Sequence, residues 1–152
     1  MKRDTKKIGV VSELAVMAAL AKCGYRLLVP YGDSARYDVV IEDENGEFAR
    51  VQIKTGRLRK GSVIFRGYST HSHRGGVGAR RYAGEVEFFG VYCPELDRSY
   101  LVPAEDVLVE GNLRILPTRN NQCRKVRWAA AYALSGEKFP VAIGPPSVSG
   151  VA

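Results

Sequence analysis

Apolar residues crowd positions 8–21, Ile-Gly-Val-Val-Ser-Glu-Leu-Ala-Val-Met-Ala-Ala-Leu-Ala, with Glu13 as the sole charge. The Ala and Leu content predicts a helix, and Gly24, just past Cys23, supplies a stop. Because the stretch is apolar nearly all round, the helix is expected to be largely buried. Beyond it the pattern shortens to strand-sized runs. Residues 25–30 read as a short strand, and 37–43 with 47–55 as a hairpin around Asn45-Gly46. Further β-runs fall at 62–67, 87–92, 99–103 and 112–116, and 126–134 reads as a short helix or packed segment. Residues 68–84 are rich in Ser, His, Gly and Arg without apolar periodicity, which predicts a mobile, exposed loop. The expected layout is one domain over 1–134, then a tail or extended arm over 135–152 containing Pro140, Pro145 and Pro146.

A chain of 152 residues with 45% apolar and 26% charged content can bury one real core. No apolar run approaches the ~20 residues of a membrane span, and the basic N-terminus leads into no signal-peptide pattern. A cytoplasmic location is expected. Cys23, Cys93 and Cys123 are odd in number and far apart, with no C-x-x-C pair, so they read as reduced thiols, two of them buried.

Charge changes the picture more than composition does. Of the 23 basic residues, nine (Arg50, Lys54, Arg57, Arg59, Lys60, Arg66, Arg74, Arg80 and Arg81) lie in 48–84, a stretch without an acid. The other 14 face all 16 acids, a net of −2, so the whole surplus of +7 sits in one segment. Such clustering favours a polyanion, because neutralising phosphates releases counterions. A nucleic acid is the expected partner, against the alternative of a solvated charged face, with Arg57, Arg59, Lys60, Arg66, Arg74, Arg80 and Arg81 as candidate contacts; phosphate contact is the commoner use of Arg position by position.

The same segment opens on a second strand whose alternate residues Phe48, Arg50, Gln52 and Lys54 share one face, with Ala49, Val51, Ile53 and Thr55 on the other. A two-residue Asn-Gly turn would set Asp38 opposite Ile53, on the wrong face. A three-residue loop of Glu44-Asn45-Gly46, with Gly46 left-handed, sets Asp38 opposite Gln52 and diagonal to Lys54. In that register Asp38 offers a hard oxygen ligand for Mg²⁺ (or Mn²⁺ in its place), and the Gln52 carbonyl a weaker, neutral one. Lys54 would position the attacking hydroxide and offset charge on a phosphate. Glu13 is salt-bridged, or at a helix-end position with access to water, or a further ligand, direct or through water, since an ionised carboxylate on an apolar face is costly unless paired or bound to metal. His71-x-His73 would ligate a metal only from a strand; its loop setting favours phosphate or solvent. Glu85 and Glu87 could form a second acidic pair, but strand-end solvation or pairing with Arg80 and Arg81 is the simpler expectation.

The helix Glu13, then Asp38, then Gln52-x-Lys54 resembles the core of the PD-(D/E)XK nuclease superfamily. The surrounding residues Pro30-x-Gly32-Asp33-x-x-Arg36-Tyr37-Asp38, Arg50-Val51-Gln52-Ile53-Lys54-Thr55-Gly56 and Arg127-Trp128-Ala129-Ala130 are similar to the homing endonucleases encoded by group I introns. The resemblance spans roughly 7–134 and departs from the wider superfamily in Gln52, which stands where an acid is usual. It implies a restriction endonuclease-like α/β fold, a mixed sheet flanked by helices in α-β-β-β-α-β order. It also implies a Mg²⁺-dependent, sequence-specific double-strand DNA endonuclease working as a homodimer or homotetramer. A Holliday junction resolvase or another repair or restriction nuclease would share the core. A DNA-binding module whose nuclease core has decayed would share the basic segment.

Overall fold

The computed structural model describes residues 3–73, 76–82, 84–121 and 123–144, with backbone alone at 71–73, 76 and 77. It contains a helix, α1 (Thr5–Lys22), and ten strands: β1 (Arg26–Leu28), β2 (Val39–Glu42), β3 (Phe48–Thr55), β4 (Arg57–Arg59), β5 (Ser62–Arg66), β6 (Tyr68–His73), β7 (Gly76–Arg81), β8 (Phe88–Cys93), β9 (Arg98–Pro103) and β10 (Glu110–Arg114). Short 3₁₀ turns follow at Ala104–Asp106 and Ala129–Ala131. The central sheet runs β1-β2-β3-β8-β9, antiparallel except between β3 and β8. A second sheet runs β10-β5-β4, and β6 and β7 form a separate two-stranded ribbon.

Asp4 caps α1, its Oδ1 accepting from the Lys7 amide at 3.2 Å, and Gly24 (φ +98°) ends the helix. Val16 and Leu20 pack on the odd-numbered face of β3, against Val51 and Ile53, within a core shared with Val39, Ile41 and Leu101. Gly90 lets α1 approach this closely, because a Cβ there would lie 2.6 Å from Val16 Cγ1. The other sheet face packs Phe89 and Val91 against Val63, Phe65, Tyr82 and Leu113, so the second sheet covers it. Each such side chain, fully buried, contributes roughly 1.5–3 kcal/mol.

Three expectations are corrected. First, α1 is not largely buried: Val10, Val11 and Leu14 are exposed, and only Ser12, Val16 and Leu20 are fully covered. Ala and Leu content forms a helix without dictating that every apolar face finds a partner. Second, the mixed sheet of an α/β fold is present as expected, but among the described residues it carries an α-helix on one face and a sheet on the other, where the family resemblance implied a second helix. Third, residues 68–84 hold a β-ribbon rather than a structureless loop, pairing Tyr68 with Arg81, Ser69 with Arg80 and Thr70 with Ala79. Its root is fixed by polar contacts, which leave no apolar period to read. Cys23 and Cys93 are buried thiols and Cys123 is exposed. No helix among the described residues is long and apolar enough to cross a membrane.

Candidate active site

Turn chemistry places the site. The buried Asp43 carboxylate accepts from the Asn45 and Glu47 amides at 2.9 and 3.0 Å, the Gly46 amide donates to the Asp43 carbonyl, and Gly46 has φ +77°. The connection is therefore the three-residue loop, and the register follows: Glu42 faces Phe48, Ile41 faces Ala49 and Val39 faces Val51. One position further out, Asp38 lies across from Gln52. There the regular ladder gives way to a side chain. Asp38 Oδ2 accepts from the Ile53 amide at 2.8 Å, while the Asp38 amide donates to the Val51 carbonyl. That bond pins one oxygen between Gln52 and Lys54, and Oδ1 has no hydrogen-bond donor among the described residues. The Gln52 amide nitrogen donates to the Ile53 carbonyl at 3.4 Å, which commits its NH₂ and spares its oxygen as an acceptor.

Lys54 is half-buried at the junction of the central sheet and the ribbon. Its Nζ donates to the Tyr68 carbonyl (3.1 Å) and to Tyr82 Oη (3.4 Å), and lies 4.6 Å from the Tyr82 ring centre. Burial brings its pKa down to about 8; the Asp38 charge resists this, and Arg36 and Arg66 add to it. Burial likewise pushes the Asp38 carboxyl above the usual aspartate range, with the Ile53 amide and Lys54 pulling the other way. Glu13 lies on α1, one residue after Ser12, whose Oγ hydrogen-bonds Thr55 Oγ1 at 2.6 Å and ties the helix to the end of β3. Its carboxyl is raised first by partial burial and then by the charge of Asp38.

Asp38, Glu13 and the Gln52 amide oxygen are hard oxygen donors of the kind that could hold Mg²⁺ or Mn²⁺. No group of three or more His, Cys, Asp or Glu among the described residues offers a competing cation site. The backbone at His71 and His73 is in a strand, and their side chains lie outside the description.

The basic residues divide by place. Lys54, Arg57, Arg59 and Arg66 line one cleft of ≈ 820 Å³ with Thr55, Tyr68 and Thr70. Arg57 Nη1 is buried without a hydrogen-bond partner among the described residues. Lys60 (φ +47°) turns the chain from β4 to β5. Arg80 and Arg81 are exposed on β7, and Arg74 lies outside the described residues. Glu85 pairs with Arg80, as its position suggested, but also with Arg36; Glu87 pairs with Arg50 at 2.8 Å and not with Arg81. Hydrogen bonds from Arg36, above all, hold the Glu85 carboxyl below its ordinary range.

Sequence reasoning gave no role in the site to Arg36, Tyr68 or Tyr82, yet these lie around Lys54, and Glu85 holds Arg36. Arg36 packs over the Tyr82 ring at 4.2 Å and donates to Ser69 Oγ, to the Arg81 carbonyl and to Glu85. The one sequence signal was the place of Arg36, two residues before Asp38.

A family model described as PD-(D/E)XK endonuclease matches residues 3–135. Among solved structures, that of a bacterial homing endonuclease, I-Ssp6803I, superposes with a TM-score of 0.68 at 25% identity, covering 86% of this chain and 89% of that one. No curated protein matches by sequence.

Proposed function

We propose, for a chain that belongs to the PD-(D/E)XK endonuclease family, a Mg²⁺-dependent, sequence-specific double-strand DNA endonuclease of the homing type, acting in the cytoplasm as a homodimer or homotetramer. The observation that carries this reading is the register placing Asp38 across from Gln52 and beside Lys54, with Asp38 Oδ2 on the intervening Ile53 amide. Likeness to a homing endonuclease over most of both chains supports the homing type. Two sites are needed to cut both strands, and a two-fold assembly suits a pseudo-palindromic target.

Asp38, Gln52 and Glu13 would hold the metal, which supplies Lewis acidity toward the phosphate and a nucleophilic hydroxide. Lys54 directs its ammonium at the reacting oxygens, where charge builds as the phosphodiester opens. Arg57, Arg59 and Arg66 carry the flanking phosphates along the cleft, and the β6–β7 ribbon with Arg80 and Arg81 lies in or along a groove. Because Gln52 brings no charge, Asp38 and Glu13 alone attract the cation, and affinity for Mg²⁺ is expected to be slight without DNA.

The test is cleavage with Mg²⁺ or Mn²⁺ on a randomised duplex library and on a four-way junction, with Lys54→Ala beside wild type. Discrete cuts at one long motif, lost by at least 100-fold in the variant, are expected. Cutting confined to the junction would make the protein a resolvase. Tight duplex binding without any turnover would leave a binding module.

A further inference from the structure

Lys54 carries three N–H donors. The Tyr68 carbonyl and Tyr82 Oη take two of them, at 3.1 and 3.4 Å. Only the third is left for a reacting oxygen. The third restraint on the ammonium is the Tyr82 ring, 4.6 Å away, a cation–π contact that gains strength where water is excluded. That ring is itself fixed. It is 5% exposed, stands edge-on to Phe89 at 5.8 Å, and carries the Arg36 guanidinium at 4.2 Å.

The two tyrosines share an origin. Tyr68 opens β6 and pairs with Arg81, the last residue of β7, and Tyr82 is the next residue along. Both groups that hold Lys54 therefore belong to the root of the ribbon. Arg36 ties that root to the loop leading into Asp38, through Ser69 of β6, the Arg81 carbonyl of β7, and Glu85 just beyond.

We infer that Tyr82 is a positioning residue for Lys54, and that the root of the β6–β7 ribbon, through Tyr82 and the Tyr68 carbonyl, sets where the remaining N–H of the ammonium points. The inference rests on the endonuclease reading for its consequence in catalysis. It makes the ribbon part of the reaction geometry as well as a surface for DNA, so that seating the ribbon and aiming Lys54 are one event.

The experiment measures single-turnover cleavage of the duplex selected from the library, in Mg²⁺, together with the Kd for that duplex in Ca²⁺. In Tyr82→Leu the cleavage rate falls by roughly 30–100-fold, the cost of displacing a catalytic group by about 1 Å, while Kd stays within about threefold. Tyr82→Phe, which keeps the ring, stays within about fivefold of wild type. In a Lys54→Ala background, Tyr82→Leu costs no more than about twofold, because it acts through the lost ammonium. An unchanged rate in Tyr82→Leu, or the same loss with and without Lys54, overturns the inference. A readout independent of cleavage is the NMR shift of the Lys54 ε-methylene protons. These are moved upfield by the Tyr82 ring in wild type and return to ordinary lysine values in Tyr82→Leu. Ordinary values in wild type would sink the inference. Failure of wild type to cut any duplex would instead sink the endonuclease reading, and the NMR shift would still decide whether Tyr82 holds Lys54.

Discussion

At the scale of single residues, the site is costly to maintain. Asp38 and Lys54 are each partly withdrawn from water, and burial works against both charges. For Asp38 the sign of the consequence is fixed. Its folded-state pKa lies above the unfolded one, so the stability linked to its protonation is present below about pH 4 and lost as pH rises through the folded value. Asp38→Asn keeps an oxygen for the Ile53 amide but cannot ionise. In EDTA, the variant is expected to melt with wild type near pH 3.5, at about the unfolded aspartate pKa, and above it at pH 7. It should cut DNA at least 100-fold more slowly. Thermal melts across that pH range decide the matter; a variant less stable than wild type at pH 7 would mean the carboxylate is net stabilising. With the expected result, the activity and the instability share one atom group.

At the scale of elements, the turn at 43–47 decides whether there is a site at all. A one-residue slip moves every side chain to the opposite face, and Asp43 holds the loop length through two backbone amides. Asp43 Oδ2 also accepts from the Ile143 amide at 3.4 Å, and the arm there is fixed again by Tyr25 Oη on the Val141 carbonyl at 2.6 Å. Asp43→Ala should cost roughly 1–3 kcal/mol, the range for orphaned buried donors. It should also slow cleavage more than it weakens duplex binding, which denaturant melts and single-turnover rates would show; a stability loss with an unchanged rate would uncouple turn from site. This hairpin was legible in the sequence, since Asn45-Gly46, Asp38 and the alternation through Lys54 allow two registers and only one gathers the polar groups. Strand β4 was not, because Arg57-Leu58-Arg59 offers one apolar residue. The ribbon was hidden for a similar reason, its strands being polar and small on both faces. The surroundings of Lys54 were illegible for another reason. Arg36, Tyr68, Tyr82 and Glu85 meet through folding alone, and no period or spacing connects them.

At the scale of the whole molecule, the segment that carries the charge surplus forms β3, β4, β5 and the ribbon, and Arg57, Arg59 and Arg66 line one cleft with Lys54. Binding to duplex DNA should therefore weaken steeply with salt. Each of Arg57→Gln, Arg59→Gln and Arg66→Gln should lower the slope of log K against log[salt] by about 1 if that side chain meets a phosphate. Titrations at several salt concentrations would reveal it, and an unchanged slope would remove that arginine from the interface. The margins of the central sheet carry a different message. On one side β9 is closed by residues 132–134, with the Leu101 amide on the Tyr132 carbonyl and the Leu134 amide on the Ser99 carbonyl. On the other, β1 is three residues long, begins with an exposed arginine and runs within two residues of Pro30. A blunted edge and a covered one leave few free backbone groups to recruit a foreign strand. The sheet is guarded against growing by addition. At these two edges, copies of this chain could meet only through side chains, whose shape and charge can specify one partner arrangement, rather than through main chain, which accepts almost any strand.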